Sequence, residues 1–168
     1  MPTATTKTKE HQDRWNEIVR DPALRDLPYK IETNARGHIL LIPHTAHHSD
    51  QQGDVMDLLR QYAPSGLVRP EFPICTEKGT KLPDVAWITK GRREEMRETG
   101  DPPTLAPEIC VEVMSDSNDW DEMHEKRALY LQAGAEEVWI VSEDGNVHFF
   151  AEDELGASEI APDFPEKV

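Results

Sequence analysis

The stretch Glu108–Ser115, EICVEVMS, constrains the fold more than any other part of the chain. Side chains alternate along a strand, so Ile109, Val111 and Val113 share one face and Cys110, Glu112 and Met114 the other. Both faces are apolar except at Glu112, which marks a buried strand carrying one carboxylate. An ionised carboxylate is tolerated there only if it is paired, hydrogen-bonded or bound to a cation. The fold must therefore bring something positive to Glu112.

The rest of the chain supplies a sheet and helices around this strand. Lys9–Val19 carries Trp15, Ile18 and Val19 at helical spacing and is closed by Asp21-Pro22. Tyr29–Thr33 and His38–Ile42 flank a Gly37-containing connection and predict a hairpin. His47–Tyr62 repeats Val55, Met56, Leu59 and Tyr62 as an amphipathic helix does. Leu67–Thr76 and Leu82–Thr89 read as two strands, the first at an edge because of Pro70 and Pro73. Residues 91–104, GRREEMRETGDPPT, read as a mobile polar connection with one or two helical turns. A helix over Asp119–Ala133 is capped by Gly134, and Glu137–Val141 and Val147–Phe150 surround Asp144-Gly145 as a second hairpin. The order predicts an α/β domain with a mixed β-sheet core flanked by helices.

At 168 residues the chain fits one domain, read as 29–168 after an N-terminal helical extension over 1–28. Cys75 and Cys110 sit in strand-like surroundings without Cys-x-x-Cys spacing and read as reduced core thiols. No apolar run approaches membrane-span length, so a cytoplasmic protein that does not engage membrane is expected. The net charge is -15, which disfavours tight non-specific binding to nucleic acid. That charge is uneven: residues 1–97 hold 15 Lys+Arg against 14 Asp+Glu, residues 98–168 hold 3 against 19. Arg92, Arg93 and Arg97 belong to the one basic cluster that could touch phosphate.

Asp84, in Pro83-Asp-Val-Ala-Trp-Ile, is the second acid of interest, because carboxylates on neighbouring strands can hold a divalent cation between their oxygens. Lys126 lies three residues after Met123 and four before Tyr130, on the helix side that faces inward if those two do. Phosphodiester hydrolysis needs a cation that activates water and a positive group near the nucleophile or the developing charge, and Asp84, Glu112 and Lys126 are the residue types for it.

These residues resemble the Uma-two family, restriction-endonuclease-like proteins of the PD-(D/E)XK nuclease superfamily. The resemblance runs from about Tyr29 to the end. It is carried by Lys30-Ile-Glu32 with Gly37 and Ile39, His48 with Gln52-Gly53, Pro83–Trp87, Pro107–Ser117, Glu125–Val141 and Pro162–Pro165. It implies a restriction-endonuclease-like, four-stranded mixed core sheet, with Asp84 and Glu112 as metal ligands and Glu32 as a third acid. The superfamily's lysine two residues after the second acid is replaced here by Met114, and Lys126 matches the migrated lysine of the family. His48, Gln52, Ser115 and Tyr130 line the site by the same resemblance. The activity implied is Mg²⁺- or Mn²⁺-dependent endonuclease cleavage of nucleic acid, DNA favoured, with a homodimer left open.

Each feature has a plainer reading. Glu112 could be half of a structural ion pair with Lys126, Asp84 a turn residue after Pro83, and Glu32 an exposed hairpin acid. His44, His47 and His48 form a rival metal cluster, but their spacing suits solvated histidines at a helix start better than a structural zinc site. Trp87, Trp120 and Trp139 read as core. Two other functions compete: a catalytically silent binding or assembly module, and a metal-dependent hydrolase of a small phosphorylated molecule.

Overall fold

A computed structural model describes residues 6–168; the first five residues of the expected N-terminal extension lie outside the described residues. Fifteen elements follow one another as α1 (Thr6–Val19), α2 (Pro22–Arg25), β1 (Lys30–Thr33), β2 (Ile39–Ile42), α3 (Ala46–Tyr62), β3 (Leu67–Pro70), β4 (Ile74–Thr76), β5 (Gly79–Lys81), β6 (Val85–Ile88), α4 (Lys90–Glu98), β7 (Ile109–Val113), α5 (Trp120–Gln132), β8 (Glu137–Val141), β9 (Val147–Phe150) and β10 (Glu154–Leu155). Six of the strands form one sheet in the order β10-β9-β8-β7-β6-β3. β7 and β8 run parallel, joined through α5, and the other neighbours in that sheet are antiparallel. The sheet is mixed, as expected, but has six strands rather than four.

The opening stretch is β7, with β6 on one side and β8 on the other. Its Ile109, Val111 and Val113 pack with Val55 and Leu59 of α3, Trp139 of β8 and Phe164 of the C-terminal tail. The other face of the sheet is covered by α5 and α4: Cys110 meets Tyr130 and Val138, and Met96 of α4 meets Ala86 and Ile88. Burying such side chains stabilises by about 1.5–3 kcal/mol each, which makes β7 the structural centre and holds Glu112 in place on the α5 face.

Three expectations need correction. Leu67–Thr76 is not one strand: Pro70 ends β3, Glu71 turns the chain with φ 44, and Pro73 precedes β4, which pairs with β5 in a separate hairpin. Residues 91–104 are no loose connection. They hold all but the first residue of the nine-residue helix α4, with Met96 fully buried and Arg92 donating to the carbonyls of Ala106 and Gly134 at 2.9 Å each. Trp120 is 36% exposed and packs against His124 and His148, whereas Trp87 and Trp139 are core. Cys75 and Cys110 are both free and buried, as read from their surroundings.

The first hairpin and α1 sit on β4–β5 rather than on the main sheet. Trp15 and Ile18 of α1 pack with Leu82, Ile31 and Ile39. Thr80 donates its N–H to Thr33 Oγ1, and Lys81 Nζ donates to the Thr33 carbonyl at 2.7 Å. These bonds place β1, with Lys30 and Glu32, against the end of β6 where Asp84 enters it. No helix among the described residues is long and apolar enough to cross a membrane.

Candidate active site

β6 and β7 pair with Val85 opposite Val111 and Ala86 opposite Cys110. One step further along this register Asp84 comes opposite Glu112. Both are buried, and so is Glu32 from β1, so the exposed-hairpin reading of Glu32 does not hold. Two lysines serve these three acids. Lys30 Nζ lies 2.9 Å from Asp84 Oδ1 and 3.9 Å from both Glu32 Oε2 and Glu112 Oε2. Lys126 Nζ lies 2.9 Å from Glu32 Oε1 and 3.4 Å from Glu112 Oε1. The helix periodicity that aimed Lys126 inward is confirmed by Met123 and Tyr130, both buried on the same side.

Backbone and neutral side chains complete the cluster. Asp84 Oδ2 accepts the N–H of Val113 at 2.8 Å, and Glu32 Oε2 accepts that of Leu82 at 2.8 Å. Tyr130 donates its hydroxyl to Glu112 Oε1 at 2.6 Å. His48 Nε2 approaches Asp84 Oδ2 at 3.4 Å, and Gln52 donates to the Asp84 carbonyl at 2.8 Å. Ser115 instead joins the β7–α5 turn, bonded to Asn118 and Ser117.

The electrostatics separate the three acids. Burial opposes ionisation of Asp84, but Lys30, His48 and the Val113 N–H outweigh it and hold the carboxyl well below its ordinary range. Glu32 is also lowered, since Lys126, Lys30 and the Leu82 N–H overcome its burial. Glu112 goes the other way. Burial, reinforced by Asp84 and Glu32, prevails over the two lysines and raises it to about 7. Burial disfavours charge on Lys30 and Lys126 as well, yet the surrounding carboxylates raise both. Burial and the neighbouring Glu112 push Tyr130 far up, so its hydroxyl stays a donor. Three acids share two ammonium groups, and Glu112 is the one left under-compensated.

Lys30 was the residue that sequence reasoning missed as a site group. Its ammonium stands where the acids gather around positive charge, and a set of carboxylate oxygens is the donor set that Mg²⁺ and Mn²⁺ accept. The three acids are thus the donor type such a cation takes, and in this structure Lys30 and Lys126 engage them. The histidines also differ from expectation. His48 is buried and His44 half-buried, and one donor atom each from His44, His48 and Asp84 lie within 4.8 Å of one another, so this group could hold a metal ion. His47 alone is exposed, its ring against the Glu143 carbonyl.

A cleft of about 510 Å³ between the first hairpin and α5 meets the edge of the cluster at Glu32 and Lys126, with Asp84, Glu112 and Lys30 buried behind them. Arg36, Lys78 and Lys81 lie along it. By contrast, Arg93 and Arg97 lie on α4, beyond the opposite end of β6 from Asp84, with about 13 Å of strand between. Arg92 is committed to backbone carbonyls.

The family model Uma2, described as "Putative restriction endonuclease", matches residues 15–165. The fold is similar to a crystal structure from Anabaena variabilis ATCC 29413 described as "a putative nuclease belonging to DUF820", with a TM-score of 0.58 and 16% identity over 72% of this chain and 71% of that one. At that identity the likeness concerns the fold. No curated protein matches the chain.

Proposed function

Since the chain belongs to the Uma2 family, we propose that it is a divalent-metal-dependent nuclease that hydrolyses phosphodiester bonds of nucleic acid, DNA being the favoured substrate. The observation that carries this reading is the convergence of Glu32, Asp84 and Glu112 from three strands on Lys30 and Lys126, at the end of a solvent cleft. Asp84 and Glu112, with Glu32 beside them, would hold Mg²⁺ or Mn²⁺. When bound, such an ion polarises a phosphoryl oxygen and makes bound water more acidic.

The chain's own groups supply the rest. Glu112, raised to about 7 in the metal-free protein, would be held ionised by a bound cation, so its role is that of a ligand. Of the two lysines in the cluster, Lys126 is the one that lines the cleft, with 12% of its side chain exposed, and its ammonium can align the nucleophile or offset charge on the phosphoryl group. Tyr130 fixes the Glu112 carboxylate, and His48, Gln52 and the Val113 N–H fix Asp84. Arg36 and Lys78 lie exposed along the cleft, Lys78 paired with Glu125 at 2.6 Å, and would meet the phosphates of an incoming strand.

Two rivals have observations of their own. The cleft and the net charge of -15 also suit a small phosphorylated substrate, and the engagement of all three acids by Lys30 suits a silent binding module. Incubating the protein with single- and double-stranded DNA, RNA and small phosphodiesters, in Mn²⁺ or in chelator, separates them. The nuclease reading predicts Mn²⁺-dependent polymer cleavage. Turnover of small phosphodiesters alone supports the second reading, and no turnover with any of them supports the third.

A further inference from the structure

Asp84 divides its two oxygens between two neighbourhoods. Oδ1 faces Lys30 at 2.9 Å, within the acid–lysine cluster. Oδ2 faces the other way, toward His48 Nε2 at 3.4 Å and the Val113 N–H. Thr45 caps α3, so His44 stands just before the helix and His48 in its first turn, and the two rings meet with centroids 4.3 Å apart. We propose that His44, His48 and Asp84 form a binding site for a first-row transition metal ion, with Glu71 as the outer partner that orients His44.

Four observations carry this. One donor atom from each of the three residues lies within 4.8 Å of the others, a spread that a modest rotation of the half-buried His44 ring closes around one ion. His44 Nε2 is buried and has no hydrogen-bond partner, a condition that native structures seldom tolerate unless an ion or water serves the atom. The other nitrogen of that ring, Nδ1, lies 3.7 Å from Glu71 Oε1, beyond hydrogen-bond length but close enough for a small side-chain movement to make the carboxylate–histidine bond that orients metal-bound imidazoles. Glu71 is held for this: it is the one non-glycine residue with positive φ among the described residues, at 44°, and its N–H is bonded to the Asp84 carbonyl. Backbone strain of this kind is concentrated at functional sites.

The donor set decides the class of ion. Two imidazole nitrogens and one carboxylate oxygen suit Mn²⁺, Fe²⁺, Co²⁺ or Zn²⁺, whereas Mg²⁺ demands oxygen ligands in a near-octahedral shell. This position therefore differs from the all-oxygen one between Asp84 and Glu112, and the two share only Asp84. The inference does not depend on hydrolysis.

The test uses the full chain without an affinity tag, stripped by chelator, and Co²⁺ as the probe, with affinity from chelator competition and nitrogen ligation from the Co²⁺ absorption bands. The parent should bind one nitrogen-ligated equivalent. His44→Ala should weaken that binding at least tenfold without loss of fold, because His44 lies in the loop before α3 and outside the core, and Glu71→Gln should weaken it about tenfold, as outer partners do. His47→Ala, in the exposed neighbouring histidine, should leave it within twofold. The proposal is overturned if the parent shows no nitrogen-ligated Co²⁺, if His44→Ala binds as tightly as the parent, or if His47→Ala loses binding as the His44 variant does. No nucleic acid enters the measurement, so a missing nuclease activity leaves its result intact.

Discussion

Glu112→Gln tests whether the buried acid of β7 is strained by its neighbours or is a keystone of the core. In the native protein this carboxyl is raised from an ordinary 4.5 to about 7, mainly by burial, with Asp84 and Glu32 adding to it against Lys126 and Lys30. A raised carboxyl favours the folded state while protonated, so its contribution is complete below about pH 4.5 and is lost as pH climbs through about 7. The difference of about 2.5 pH units corresponds to about 3 kcal/mol at full ionisation. For a chain of this size that is roughly 6–12 °C in melting temperature. Glutamine imitates the protonated acid. The metal-free variant should therefore match the parent at pH 5 and melt higher at pH 8, while Mg²⁺ at millimolar concentration stabilises the parent and not the variant. Differential scanning calorimetry at the two pH values, with and without Mg²⁺, reads all of this. If Glu112 were instead half of a structural pair, removing it would cost about 3–5 kcal/mol. A large drop in melting temperature at pH 8, with no Mg²⁺ effect on the parent, would refute the reasoning.

Two further outcomes follow from the geometry. Lys126→Ala should abolish hydrolysis yet leave Mg²⁺ affinity largely intact, because the ammonium acts on the nucleophile or the phosphoryl charge; single-turnover cleavage and calorimetric titration check the two halves. For nucleic-acid binding, replacing Arg36 and Lys78 in the cleft should reduce the slope of log affinity against log salt by about 0.7–0.9 for each lost phosphate contact. Replacing Arg93 and Arg97, at the far end of β6, should leave the slope unchanged, and the converse result would move the strand's path to α4.

Much of the site was legible because it rests on local periodicity. Alternation along β7 exposed Glu112 as an acid among apolar neighbours, and the spacing of Met123, Lys126 and Tyr130 aimed the lysine inward. Lys30 was not legible. Period two puts it on the same face as Glu32, but that face is dry only because the first hairpin docks on β5 through Thr33, Thr80 and Lys81, a contact about fifty residues distant in sequence. His44 and His48 were discounted for the same reason, since the acid that joins them, Asp84, arrives from another strand. The basic residues of α4 looked close to the site because they follow the Asp84 strand. A strand separates its two ends, however, and buried Met96 and the carbonyl-bound Arg92 fix α4 at the wrong one.

Asp84, joined to Glu112 and served by Lys30 and His48, is the anchor of the proposed hydrolytic centre. The most direct measurement compares cleavage of DNA by the parent and by Asp84→Asn at saturating Mn²⁺, with circular dichroism showing that both are folded. The amide removes a negative charge from the cation's position while keeping the shape of the side chain. Cleavage by the parent and its loss in the variant, by at least a hundredfold, is the predicted result. Equal rates in two folded proteins would contradict the account.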